Sequence, residues 1–159
     1  MSFPISSAVN PPTVFMARLS ELAKRLDPEF VLFRRKVHQF KFPVQTLRSL
    51  FQEPPLYGAG ERGIERTSRD QPRYVRITDI DEYGVLNDDI GVTAETVQQR
   101  YILEEDDLLL ARSGNTVGKS YLHKRRYAPY ACFFAGYLIR FRFDHSNVLP
   151  DYVFALTPL

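Results

Sequence analysis

Hydrophobic residues along this chain change period several times, and each change marks an element. Phe15, Leu19, Leu22 and Leu26 are spaced i, i+4, i+7 and i+11, which predicts an amphipathic helix over 13–26. Thr13 is placed to cap it, and Asp27-Pro28 is expected to stop it. "VLFRRKVHQFKF" (31–42) mixes β-branched and aromatic residues with charges, leaving helix and strand both open. "TLRSLF" predicts a short helical turn. Residues 53–72, with glycines, prolines and arginines, read as a long polar loop.

Strand periodicity then dominates. "RYVRITDI" (73–80) predicts a strand with Val75 and Ile77 on one face and Tyr74, Arg76 and Thr78 on the other. "TAETVQQRY" predicts a short helix, "DLLLAR" a buried strand, and "GKSYLH" the next strand after a tight turn. "YACFFAGYLIRFRF" (130–143) reads as one alternating strand, with Arg140 and Arg142 expected on a solvated face. Pro150 then opens a helix, "DYVFAL".

Charge changes this picture more than composition does. Net charge is only +2, but the 21 basic residues comprise sixteen Arg and five Lys, and arginine is the better fork for phosphates and guanine edges. Residues 81–107 carry nine acids and one Arg, whereas 112–126 carry Arg112, Lys119, Lys124, Arg125 and Arg126 and no acid. The single cysteine, Cys132, excludes a disulfide framework and reads as a small buried hydrophobe in a reducing compartment. No apolar run reaches membrane-spanning length.

Two motifs are decoys. "ARSGNTVGKS" (111–120) resembles a phosphate loop, but that motif requires Gly at 113, which is Ser, and must open a helix. "NPPT" (10–13) lacks the aromatic residue that stacks on a flipped base in adenine methyltransferases. His38, His123 and His145 show no metal-ligand spacing, and Asp106-Asp107 reads as a solvated turn. No catalytic residue, cofactor or metal is expected.

Five segments occur in a defined order: "RLDPEF", "YVRITDID" with Gly84 following, "YILEEDDLLLARSGNTVGK", "AGYLIRFRF" and "LPDYV". This series, over residues 22–155, resembles a target recognition domain of the DNA-specificity subunit of type I restriction–modification enzymes. Asp106 stands where that pattern usually has glycine, and Ser113 where threonine is common. The resemblance implies an α+β fold: a curved, mostly antiparallel sheet with short helices, flanked by the stubs of spacer helices. It implies a tail and helix over 1–28 and a recognition domain over 29–159, cut short at its C-terminus. The implied role is sequence-specific reading of double-stranded DNA by a non-catalytic, cytoplasmic component of a prokaryotic enzyme. Methylation and restriction subunits would be its partners in the intact assembly, and the 13–26 helix would offer a homodimer contact.

Recognition needs contacts that position and contacts that specify. Arg112, Ser113, Asn115, Thr116 and Lys119, with Lys124, Arg125 and Arg126 at the far end of the next strand, suit the first task. Tyr57, Arg62, Arg66, Ser68, Arg69 and Arg73, with Arg76 and Thr78, suit the second. Two other readings stay open: a protein-interaction module or truncated subunit that binds methylation partners, and a nucleotide or phosphate enzyme using 112–119.

Overall fold

A computed structural model describes residues 15–18, 20, 27–37, 39 and 41–157. The chain divides into two compact units, Met1–Val44 and Gln45–Leu159. In the first, α1 spans Pro28–Val37. The Asp27 carboxylate accepts hydrogen bonds from the Glu29 and Phe30 amides at 3.1 and 3.3 Å, so Asp27 caps this helix. Asp27-Pro28 therefore begins a helix here, because proline at the first helical position forfeits only an amide that would lack a partner anyway. Phe15–Arg18 have no regular structure. Leu19, Leu22 and Leu26, and with them the expected apolar stripe and dimer contact, lie outside the described residues.

The second unit is α+β and mostly antiparallel. Its described strands are β1 (Leu56–Tyr57), β2 (Ile64–Glu65), β3 (Arg73–Val75), β4 (Val92–Thr93), β5 (Leu108–Ala111), β6 (Ser120–Leu122), β7 (Cys132–Phe134) and β8 (Leu138–Phe141), followed by α2 (Pro150–Ala155). They divide over three sheets rather than one. The largest has the order β1-β8-β5-β6, and two pairs, β2-β4 and β3-β7, complete the set. The β3-β7 pair is parallel. "DLLLA" forms the central strand, with Leu108, Leu109 and Ala111 buried and both edges paired.

Three expectations are corrected. The 73–80 strand stops at Val75 and tightens into a 3-10 turn over Ile77–Asp79, since Asp79 accepts the Arg76 amide at 2.9 Å. Arg76 and Thr78 therefore do not lie on a strand face. The 130–143 segment breaks at Gly136-Tyr137 into two strands of different sheets. The 53–72 stretch is organised by β1 and β2 instead of being a free loop.

The core gathers Tyr74, Val75, Leu109, Tyr121, Cys132, Phe133, Phe134 and Leu138, with Tyr74 stacked on Phe133 at 4.6 Å between ring centres. Burial pushes the Cys132 thiol up to about 12, so it is protonated and behaves as a small core hydrophobe. Asp106 has φ +68°, the left-handed region that favours glycine. Its carboxylate bonds the Lys124 ammonium, which ties the start of β5 to the end of β6.

Candidate nucleic-acid interface

The β5–β6 hairpin carries Arg112, Ser113, Asn115, Thr116 and Lys119. Its turn is a 3-10 segment, Gly114–Thr116, between antiparallel strands, and Gly118 has φ +92°. The Lys119 ammonium donates to the Ile77 carbonyl at 3.3 Å. A nucleotide loop needs a helix N-terminus and a free lysine, and this turn supplies neither. Beside it a hollow of about 340 Å³ is lined by Asn115, Thr116, Lys119 and Glu82.

At the base of the same hairpin the chemistry is different. The Arg112 guanidinium lies 4.8 Å from the centre of the Tyr57 ring, and its Nε donates to the Gly136 carbonyl at 3.2 Å. Arg112, Ser113, Asn115 and Thr116 are exposed, as are Tyr57 (57%) and Tyr137 (65%). The register brings these residues together: Tyr57 faces Ile139, Ala111 faces Leu138, and the Arg112 amide donates to the Tyr137 carbonyl at 3.1 Å. Gly58 permits this closeness, because a β-carbon there would lie 2.2 Å from the Ala135 oxygen. Arg62 follows three residues after Ala59, whose carbonyl accepts the Gly136 amide, and is exposed. Neither Arg62 nor Arg112 forms an ion pair among the described residues. One end of the four-stranded sheet is thus a rim of tyrosine, arginine and short polar side chains.

The remaining candidates do not join this rim. Lys124, Arg125 and Arg126 sit at the opposite end of β6. The Lys124 ammonium is held by Asp106 and by Asp151 at 2.7 Å. Arg125 and Arg126 are exposed, and Arg126 stacks over Tyr127 at 4.6 Å. Arg76 is locked in a two-pronged pair with Asp79, at 3.1 and 2.7 Å, and those hydrogen bonds raise its pKa further above the ordinary value. Thr78 is exposed and leans on Asp79. Ser68 bonds Asp70 at 2.9 Å, and Arg69 meets Asp88 at 3.3 Å.

Arg66 and Arg73, expected to specify bases, are 1% and 0% exposed. Arg66 donates to the carbonyls of Gln71, Ile90 and Arg69 at 2.8, 2.9 and 2.9 Å, with its guanidinium 4.3 Å from the Tyr130 ring centre. Arg73 donates to the carbonyls of Asn87 and Asp89, to both their side chains and to the Tyr130 hydroxyl. Buried cations of this kind hold loops in place, and neither is available to a groove.

A second internal network escaped sequence reasoning. Arg140 is 5% exposed and bonds Glu53 and the Arg100 carbonyl. Arg142 grips Asp107 through two hydrogen bonds of 2.8 and 2.7 Å and reaches Glu104 at 2.8 Å. The arginine face of β8 is thus not solvated. Asp107 is 0% exposed rather than part of a wet turn, and it also accepts the Glu104 amide at 2.8 Å. The available signal was the acid-rich 104–107 run, too many carboxylates to be left without partners beside an "RFRF" strand.

His123 is buried, with Nδ1 3.0 Å from the Tyr121 hydroxyl. Burial lowers its pKa below 6.5, against the smaller opposing pull of Asp107 and Glu105. The unfolded chain takes up this proton near pH 6.5 and the folded chain does not, so stability is full above 6.5 and falls with pH until the folded value is reached. We expect the urea midpoint to drop between pH 7.5 and 5.5, and His123→Gln to flatten that dependence. A midpoint equally pH-dependent in the variant would contradict this.

Among the described residues no cluster of three or more His, Cys, Asp or Glu is placed to hold a metal. No described helix is long and apolar enough to cross a membrane. Neither a protein-family model nor a curated protein sequence matches the chain.

Proposed function

We propose that this chain reads double-stranded DNA as a non-catalytic specificity component of restriction–modification type. The carrying observation is the sheet-end rim: Arg112, exposed and without an ion pair among the described residues, stacked on an exposed Tyr57 beside Ser113, Asn115 and Thr116. Arginine held on an aromatic ring keeps its outward N–H groups aligned for phosphate or guanine, and short polar side chains add neutral donors. The ordered motifs over 22–155 support the same reading. The contact set narrows to Tyr57, Arg62, Arg112, Ser113, Asn115 and Thr116. Arg66, Arg73, Arg76 and Lys124 are engaged inside the fold and lie outside this set.

The test is duplex binding by fluorescence anisotropy at several salt concentrations. Neutralising Z phosphates gives a log–log slope of about −0.9Z, so the two arginines of this set predict a slope of roughly −2. A salt-independent isotherm, or no binding at low salt, contradicts the reading. One feature favours a partner protein in addition: Tyr152 on α2 and Leu149 and Leu156 at its two caps are exposed apolar residues. Capture of a methylation subunit without DNA would favour that second reading.

A further inference from the structure

At the end of β6 remote from the Arg112 rim, a cavity of about 600 Å³ opens between the 81–87 turn, the 125–130 turn and α2. Its walls are the rings of Tyr83, Tyr127, Tyr130 and Phe154 with the side chain of Leu86. Gly84, at φ +76°, brings one wall onto the other, since a β-carbon there would lie 2.7 Å from the Phe154 ring. Tyr83 and Tyr127 are 73% and 74% exposed, so their rings meet solvent as well as the cavity. The volume is within the range of small-ligand sites and leaves room for a single heterocycle.

Aromatic walls favour a flat ligand, and stacking a base on such a ring is worth about 1–3 kcal/mol. The polar lining narrows the choice. Asp88 and Asp151 both line the cavity, and one oxygen of each is engaged, by Arg69 at 3.3 Å and Lys124 at 2.7 Å. Asp88 retains an oxygen with no partner among the described residues, the Asp151 carboxylate takes a further bond from its own amide, and a carboxylate oxygen only accepts. Acceptors select a ring bearing an exocyclic amine, as cytosine, adenine and guanine do and thymine does not. Arg126 also lines the cavity, stacks on Tyr127 and makes no ion pair among the described residues. Exposed Arg125 adjoins it.

We propose that this cavity binds one unstacked, amine-bearing nucleobase, with Arg126 meeting the attached phosphate. The site is separate from the duplex rim and does not rest on it. The test titrates the full chain with dCMP and with dTMP, followed by amide NMR shifts. A single-stranded oligonucleotide carrying one 2-aminopurine, followed by emission, gives a second readout. We expect dCMP to bind at least about tenfold more tightly than dTMP, the discrimination of one good base contact. We expect 2-aminopurine emission to be quenched on binding. Tyr127→Ala, at an exposed position, and Leu86→Trp, which fills the cavity, should each weaken dCMP binding about tenfold or more. Equal affinity for dCMP and dTMP, or quenching unchanged in Leu86→Trp, overturns the proposal. Loss of duplex binding in Arg112→Ala with dCMP binding intact would leave this site standing, so the two readings fail separately.

Discussion

Arg73→Met is expected to cost about 3–5 kcal/mol of folding stability, the range for removing one partner of a buried charged network. Methionine fills much of the space but donates nothing. Five hydrogen bonds to Asn87, Asp89 and Tyr130 are lost together, and these are the bonds that hold 87–89 against β3. Arg73→Lys recovers little, because one ammonium cannot reproduce the fork that reaches both residues at once. Gly91 has no spare room to adjust, since a β-carbon there would already lie 2.7 Å from Arg73 Nε. For a chain of this size the loss lowers Tm by roughly 10 °C. A Tm within about 2 °C of wild type would show that the buried guanidinium is dispensable.

Asp107→Ala is expected to have a comparable effect, about 3–5 kcal/mol, by a different route. Asp107 sits at the start of the central strand with no exposure, and receives both prongs of Arg142 and the Glu104 amide. Alanine leaves a mostly buried guanidinium whose ion-pair partners among the described residues are then the more exposed Glu53 and Glu104. The double variant Asp107→Ala/Arg142→Met should be more stable than Asp107→Ala alone, since it also removes the mostly buried guanidinium that has lost its buried partner. Urea unfolding of the three proteins checks the order. If the double variant is the least stable, the cost lies in lost packing rather than in the guanidinium's lost buried partner.

How much of this was legible in the sequence depends on the range of the interaction. The run "DLLLA" declares a buried strand by its own composition, and Pro150 announces α2. Asp27-Pro28 was legible as a boundary but not in direction, because the dipeptide ends one helix as readily as it begins another. Arginine was the residue type that misled. Arg66, Arg73, Arg140 and Arg142 look like surface charge one by one. Arg66 bonds Arg69 and Gln71 nearby but also Ile90, 24 residues on, and the other partners lie far along the chain, Glu53 being 87 residues from Arg140 and Asp89 16 from Arg73. No local period encodes such pairs. Arg112 was legible as a candidate from the acid-free stretch around it, but its seat on Tyr57 required the β1-β8-β5 order. The aromatic cavity was not legible, because its tyrosines come from separate turns.

The proposed function sets the Arg112–Tyr57 rim against the DNA backbone. The most direct measurement is the salt dependence of duplex affinity for wild type, Arg112→Ala and Tyr57→Ala, read alongside their thermal stability. Both residues are exposed, so both variants should melt within a few degrees of wild type. Arg112→Ala should weaken binding and reduce the log–log salt slope by about 1, the signature of one lost phosphate contact. A wild-type affinity and slope retained in full by Arg112→Ala would show that the rim does not touch DNA.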